Sequence, residues 1–388
     1  MSAESPRSGT PPRPNPRRVL FVITTSDVGG TERYLANLVA GLDRQRFEPL
    51  VCSLCPTGAE GQRIAATGVQ VISLEMAARA RPIEMVRGVQ RLTRLIDRQE
   101  IDLVQALLYR ANMMSALSGR LARRSVRVIA GQRSLSAMTG RRAALGVRWT
   151  RRLVDHTVAV SAAVRGAMID GEGVDPQRVT VIGNAVDHRR FRPRDRTAAQ
   201  QALELAPSGL LVGAVGRLSD AKGFDHLLAA CARARAEGCD LELALAGDGP
   251  LRQDLTARAS QLDISDRVHF LGRRNGLERI YPAFDLFVLS SLQEGSPNVV
   301  LEALSSGVAV VATRVGGVPE LLEDGRSGLL VPPADPDSLA EALVRLARNG
   351  ELRQRLADAG RQHVERHLTL GRMVAQHEQL YERLLAEP

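Results

Sequence analysis

An α/β protein of two doubly wound, Rossmann-like domains is what this 388-residue sequence predicts. Three observations carry that reading. Short β-branched runs alternate with helix-period segments almost throughout, the pattern of βαβ units and parallel sheets. The series restarts midway, after a polar, proline-bearing stretch, "DHRRFRPRDRTAAQQALELAPSG" (187–209). The length suits two cores of ordinary size better than one.

In chain order, residues 1–17 are rich in Pro, Ser and Arg and read as a disordered tail. A first domain, 18–190, is expected to carry strands at 18–24, 48–54, 69–74, 102–107, 126–131, 156–161 and 178–183. Residues 191–209 form the linker. A second domain, 210–370, is expected to carry strands at 210–216, 241–247, 267–272, 286–291, 308–313 and 328–333. Helices follow at 336–348, 350–366 and 370–385, and the last, within 371–388, is expected to pack back toward the first domain. In such sheets ligands bind outside the carboxyl ends of the strands, so the loops there hold the chemistry.

Composition narrows the function. Hydrophobic content of 44% and charged content of 24% are those of a soluble globular chain. No run approaches a membrane span, and "VLFVIT" is too short for a signal-peptide core, so a cytoplasmic location is expected. Cys52, Cys55, Cys231 and Cys239 do not make a disulfide framework, and the lone CxxC lacks a second pair for zinc. They read as small buried hydrophobes. Residues 1–190 hold 29 Arg against 16 acidic residues, a net of +13, whereas the remainder nets −4. That asymmetry asks for an anionic partner: membrane surface, nucleic acid or phosphorylated substrate. At 3% aromatic residues, stacking platforms are scarce, so nucleic acid is not expected.

The only lysine among 52 basic residues is Lys222, in "GRLSDAKGFDHL" (216–227). It follows the first strand of the second series, as does Arg217. The glycine spacing is wrong for GxGxxG, yet two cations on a strand-to-helix loop suit a diphosphate. Arg217 offers a bidentate fork and Lys222 a compact charge. A stray lysine on a solvated helix face is the plain alternative. The second candidate is "QEGSPNVVLEALSSG" (293–307), where Ser296 reads as an N-cap and Pro297 as the first helical residue. Glu294 on the loop and Glu302 on the helix are carboxylates suited to vicinal hydroxyls. The third is "TTSDVGGTERYLANL" (24–38), with Gly29 and Gly30 at a helix start that Thr31 could cap. The fourth is the glycine loop of "TRVGGVPELLEDGRSGLLVPP" (313–333).

As a set, "GRLSDAKG", "AGDGPL", "FLG", "EGSPNVVLEA" and "VGGVPELLEDGRSGLLVPP" resemble the retaining glycosyltransferases of family 4, over about residues 18 to 385. The resemblance implies the GT-B fold, two Rossmann-like domains facing across a cleft. It implies that Arg217 and Lys222 bind the diphosphate of a nucleotide-sugar donor, with no cofactor and no metal. Glu294 would contact the transferred sugar and Glu302 the ribose. Gly295, Asn298 and Val299 would complete the donor site, and the Gly29–Gly30 loop would close on the phosphates. Catalysis would fall to Glu294, Lys222 and Arg217. The acceptor implied is a carbohydrate or a lipid-linked molecule, in cell-surface polysaccharide or glycolipid biosynthesis.

One position departs from the family. Many relatives carry a histidine after the fourth strand, where "DLVQALLYRANMMSALSGR" has Gln105 and Leu107. Arg110 is a substitute on the acceptor side, with Asn112 beside it; His156 reads as structural, and no general base is assigned. Asp335-Pro336-Asp337 spells the DxD of metal-dependent transferases of another fold, but Asp335 reads as an N-cap before Pro336. In "RRAALGVRWTRR" (141–152), Arg141, Arg148 and Arg152 lie at helical spacing, with Leu145 and Trp149 on another face. That pattern suits peripheral association with an anionic membrane, or a surface helix packing Trp149 inward. A catalytically silent relative that binds nucleotide sugar or scaffolds a complex stays open beside the enzyme. An epimerase on this fold lacks an acid–base histidine set.

Overall fold

The computed structural model describes residues 15–27, 29–134 and 150–387. The expectations for the tail and for Arg141, Leu145, Arg148 and Trp149 fall outside those residues. Thirteen strands occur among the described residues, each within a few residues of an expected one. They are β1 (Arg17–Ile23), β2 (Phe47–Ser53), β3 (Gln70–Ser73), β4 (Leu103–Leu107), β5 (Arg127–Gln132), β6 (His156–Ala159) and β7 (Val179–Val181), then β8 (Leu210–Val215), β9 (Leu241–Ala246), β10 (Val268–Gly272), β11 (Leu286–Leu289), β12 (Ala309–Thr313) and β13 (Leu329–Val331). One sheet runs β3-β2-β1-β4-β5-β6-β7 and the other β10-β9-β8-β11-β12-β13. The described pairings are parallel, for instance β1 with β2 and β4, and β8 with β9 and β11. Strand order therefore reverses between β1 and β4 and between β8 and β11, the crevices where such sheets receive ligands.

The helices described in full are α1 (Gly30–Gly41), α2 (Ala59–Ala65), α3 (Pro82–Arg98), α4 (Tyr109–Leu121), α5 (Ala162–Glu172), α6 (Arg196–Ala202), α7 (Phe224–Ala236), α8 (Arg252–Gln261), α9 (Asn298–Ser305), α10 (Pro336–Arg348), α11 (Gly350–His367) and α12 (Leu370–Ala386). They cover the sheets, which is why the strands are apolar on both faces. In the second sheet, alternation along each strand feeds two cores. Val212 and Val311 pack with Leu227, Leu243 and Leu343, while Leu211 and Val310 pack with Tyr281, Phe287 and Leu301. Asp335 caps α10, its carboxylate accepting from the Asp337 and Ser338 amides with Pro336 in the first turn. Asp335 is thus spent on a helix start, while the Asp337 carboxylate pairs with Arg233 at 2.8 Å. All four cysteines are free and buried.

The described residues fall into two compact units. The first takes 15–131, 150–157 and 377–387; the second takes 132–134 and 158–376. Residues 158–190, which strand succession places with the first domain, group with the second unit because their polar groups bond there. The Val186 amide donates to Leu368 O at 3.0 Å. Glu320 accepts from the Ala162 and Ala163 amides, at 2.9 and 3.2 Å, at the start of α5.

Candidate functional site

The second unit concentrates candidate residues on two loops, after β8 and after β11. Behind β8 the chain passes Gly216 and Arg217, turns through 3-10 residues Asp220–Lys222, and enters α7 through Gly223. Gly223 has φ +57°, and a Cβ there would overlap Ser290 O, so only glycine lets this loop lie so close to the end of β11. Two further bonds hold the loops together: Ser290 Oγ donates to Lys222 O at 2.9 Å, and the Leu292 amide to Ala221 O at 2.9 Å.

That proximity makes the central contact. Lys222 Nζ donates to Glu294 Oε1 at 2.6 Å, and Ser291 Oγ donates to the same oxygen at 2.7 Å. The pair is mostly shielded, with side-chain exposures of 26% and 11%. Arg217 is exposed and makes no hydrogen bond or ion pair among the described residues, leaving its fork available. Gly295 is buried against Arg133 O, with no room for a side chain, and its carbonyl accepts from the Gly317 amide at 3.0 Å. Thus the fourth candidate loop meets the second.

The helix after this loop starts differently from expectation. α9 begins at Asn298, and Pro297, with extended backbone, occupies the cap position; no side chain caps the helix and its first turn carries no acid. The Ser296 hydroxyl is instead buried without a hydrogen-bond partner. The reason is tertiary: Ser296 O is taken by Asn184, which fixes the residue one step too early to cap. An uncapped amino end still directs its dipole at the loop. Asn298 and Val299 open α9 and are half-buried. Glu302, a turn further in, is 5% exposed and accepts from Tyr281 Oη at 2.8 Å. Sequence reading missed Tyr281, Ser291, Arg133 and Asn184. Of these, only Asn184 had a signal, a strand-end "GN" at the close of "RVTVIG".

In the first unit, α1 starts at Gly30 with Gly29 at the cap position, and Thr31 does not cap it: no side-chain cap bond is made. Thr31 already lies inside the first turn. Glu32 turns back instead, accepting from Thr25 Oγ1 at 3.2 Å. Arg110 sits in the first turn of α4, after Leu108, which holds φ +74°. Its guanidinium donates to Ala77 O, Ala78 O and Cys55 Sγ, at 3.0, 2.9 and 3.1 Å. All three acceptors are neutral backbone or thiol groups, and no carboxylate among the described residues pairs with it. Asn112 is committed to the fold, donating to Gly131 O at 3.0 Å and accepting from the Gly131 amide at 3.2 Å. Gln105 lies within β4 rather than after it, is fully buried and accepts from Tyr381 Oη. His156 is 3% exposed at the start of β6, with Arg383 against its ring.

Two cations and a helix amino terminus beside a carboxylate can hold an anionic diphosphate and a hydroxyl-bearing group together. The comparisons with known proteins bear on the family and the fold. Residues 28–190 match the model described as Glycosyltransferase Family 4, and 209–349 match Glycosyl transferases group 1. The chain is 29% identical over 211 residues to N-acetyl-alpha-D-glucosaminyl L-malate synthase of Bacillus anthracis, covering 54% of this chain and 55% of that one. It is 36% identical over 202 residues to a D-inositol 3-phosphate glycosyltransferase of Saccharomonospora viridis, covering 49% and 47%. The match spans about half the length of these curated relatives. Among solved structures, Anabaena HepE in complex with UDP superposes with a TM-score of 0.83 at 22% identity, over 94% of this chain and 100% of that one. HepE is also solved with UDP-glucose. With both halves matched by these models and the fold shared over 94% of its length, the chain belongs to glycosyltransferase family 4 and has the GT-B fold.

Proposed function

We propose that this glycosyltransferase moves a sugar from a nucleoside-diphosphate donor to its acceptor with retention at the anomeric carbon and without a catalytic metal. The observation that carries this is the Lys222–Glu294 contact beside the unpartnered Arg217. As the glycosidic bond breaks, negative charge grows on the departing diphosphate and positive charge on the sugar. In this reading Lys222, Arg217 and the amino end of α9 stabilise the first, and Glu294 the second. Glu302 is assigned to the ribose, with Tyr281 Oη orienting its carboxylate. Of the two carboxylates that could mimic a chelating pair, Asp335 is taken by the α10 cap and Asp337 by Arg233 at 2.8 Å, which supports metal independence.

The acceptor we propose is a carbohydrate or lipid-linked molecule bearing an anionic group, used in cell-surface polysaccharide or glycolipid synthesis. The support is Arg110, whose charge has no carboxylate beside it, with Gly29 and Gly30 at the neighbouring strand end; both curated relatives' names also contain anionic molecules. Peripheral attachment to an anionic membrane, on its cytoplasmic face, is supported by α3. Ile83 and Val86 are 59% and 54% exposed there, next to exposed Arg79, Arg81 and Arg87, which make no ion pair among the described residues.

The test is a thermal-shift screen of UDP-, GDP-, ADP- and dTDP-sugars, followed by nucleoside-diphosphate release and anomeric NMR of the product. We expect one donor to stabilise the protein and its anomeric configuration to persist. An inverted product would exclude the mechanism; binding without release from any donor would leave a binding protein.

A further inference from the structure

We propose that Asn184 is a positioning residue for Glu294, acting through the carbonyl of Ser296. This rests on the donor-site reading above. Asn184 follows β7 and is 5% exposed. Its Oδ1 accepts from the Arg133 guanidinium, and its Nδ2 donates to Ser296 O at 2.6 Å. The amide has one sensible orientation: flipped, its oxygen would face a carbonyl and its NH₂ a guanidinium, two like-for-like clashes. The guanidinium therefore dictates that the donor side meets Ser296.

The loop Glu294–Ser296 needs such a tie. Both carbonyls following Glu294 are held from distant parts of the chain, Gly295 O by the Gly317 amide and Ser296 O by Asn184. Packing cannot substitute for the second bond. Asn184 and Ser296 line a cavity of about 190 Å³, shared with Glu320, His367 and Arg372, so one side of their contact has no protein mass behind it. Asn184 itself is anchored two residues on, where Val186 pairs with Thr369. The segment after β7 thus sets where Ser296 lies, and through it where the Glu294 carboxylate meets Lys222.

Asn184→Asp tests this. The carboxylate keeps a partner in Arg133 but loses the donor and sets an oxygen against Ser296 O. With the donor chosen by the screen, we expect a folded protein with Tm lower by a few degrees, a donor KM within about threefold, and a kcat lower by about ten- to a hundredfold, as for a small displacement of a reacting group. A role confined to folding would lower Tm and leave kcat alone. Asn184→Ser, uncharged and smaller, is measured in parallel so that a folding failure of N184D does not remove the test. A folded variant of either kind with wild-type kcat, while Lys222→Ala is impaired, overturns the proposal for Asn184 alone. Wild-type kcat in Lys222→Ala overturns the donor-site reading and this proposal with it.

Discussion

Lys222 and Glu294, 72 residues apart in sequence, form a 2.6 Å ion pair. The chain's one lysine is thus paired with a carboxylate that Ser291 also holds, and on the proposed function a donor diphosphate would have to draw the ammonium away from it or share it. A charged group losing its partner in a shielded site costs more than the bond was worth. Exchange of one anion for another avoids that cost.

Removing the ammonium should cost turnover. A hydrogen bond between charged groups contributes about 1.5–3 kcal/mol, so Lys222→Ala is expected to lower kcat about ten- to a hundredfold. Lys222→Arg keeps the charge but brings a planar fork next to Glu294 and Arg217. Its ligand-free Tm should equal wild type while most activity and donor-induced stabilisation disappear. Wild-type kinetics in Lys222→Arg would show that any cation serves.

Tyr281→Phe removes one bond from a carboxylate that is almost fully buried. Leaving Glu302 short of a donor should destabilise the protein by about 1–3 kcal/mol, seen as a Tm lower by several degrees. Donor-induced stabilisation should shrink as well if Glu302 meets the ribose. An unchanged Tm would mean the bond is not formed in solution.

Burial pushes the Cys52 and Cys231 thiols up to about 12. Both should stay unreactive toward Ellman's reagent at pH 8 until the protein unfolds. The sign of the linkage is fixed: in the unfolded chain these thiols ionise near pH 9, so their contribution to stability is full below that value and is lost as pH rises toward about 12. The urea midpoint should accordingly fall between pH 8 and pH 10.5, and a cysteine-to-alanine pair at these positions should blunt that fall.

Activity should survive excess EDTA. Loss that magnesium or manganese restores would sink metal independence.

Vesicles carrying anionic lipid should bind the protein in a salt-sensitive way, and neutral vesicles should not. Replacing Ile83 and Val86 together by Ser, or Arg87 by Glu, should weaken that binding several-fold and leave turnover on a soluble acceptor intact. Equal partitioning to both vesicle types would remove the electrostatic account.

How far the sequence could be read depended on where each signal lived. Buried parallel strands are continuous apolar runs, so β1, β4 and β12 could be found in the linear text. Lys222, Arg217 and Glu294 were legible because strand-end loops are the place ligands go in this architecture. Cap assignments at Ser296 and Thr31 failed because local propensity was overruled: the Ser296 carbonyl answers to Asn184, and Glu32 turns back toward Thr25 at the start of α1. Tyr281 and Arg133 were invisible for the same reason. Their partners are 21 and 51 residues away, and neither spacing nor composition reports a hydrogen bond made by folding.

The last turns of α12 return to the unit in which the chain began. The Tyr381 ring lies edge-on to Phe21 and Phe47, His377 meets the Tyr34 hydroxyl, and Glu378 accepts from the Asp43 amide at 2.8 Å. The contact of Tyr34 with His377 spans 343 residues of sequence. Contacts of such separation carry the largest loop-closure entropy and slow folding. The aromatic face at Phe21 and Phe47 is therefore expected to stay open until α12 returns to it, and that open face is where a folding intermediate of this chain would aggregate.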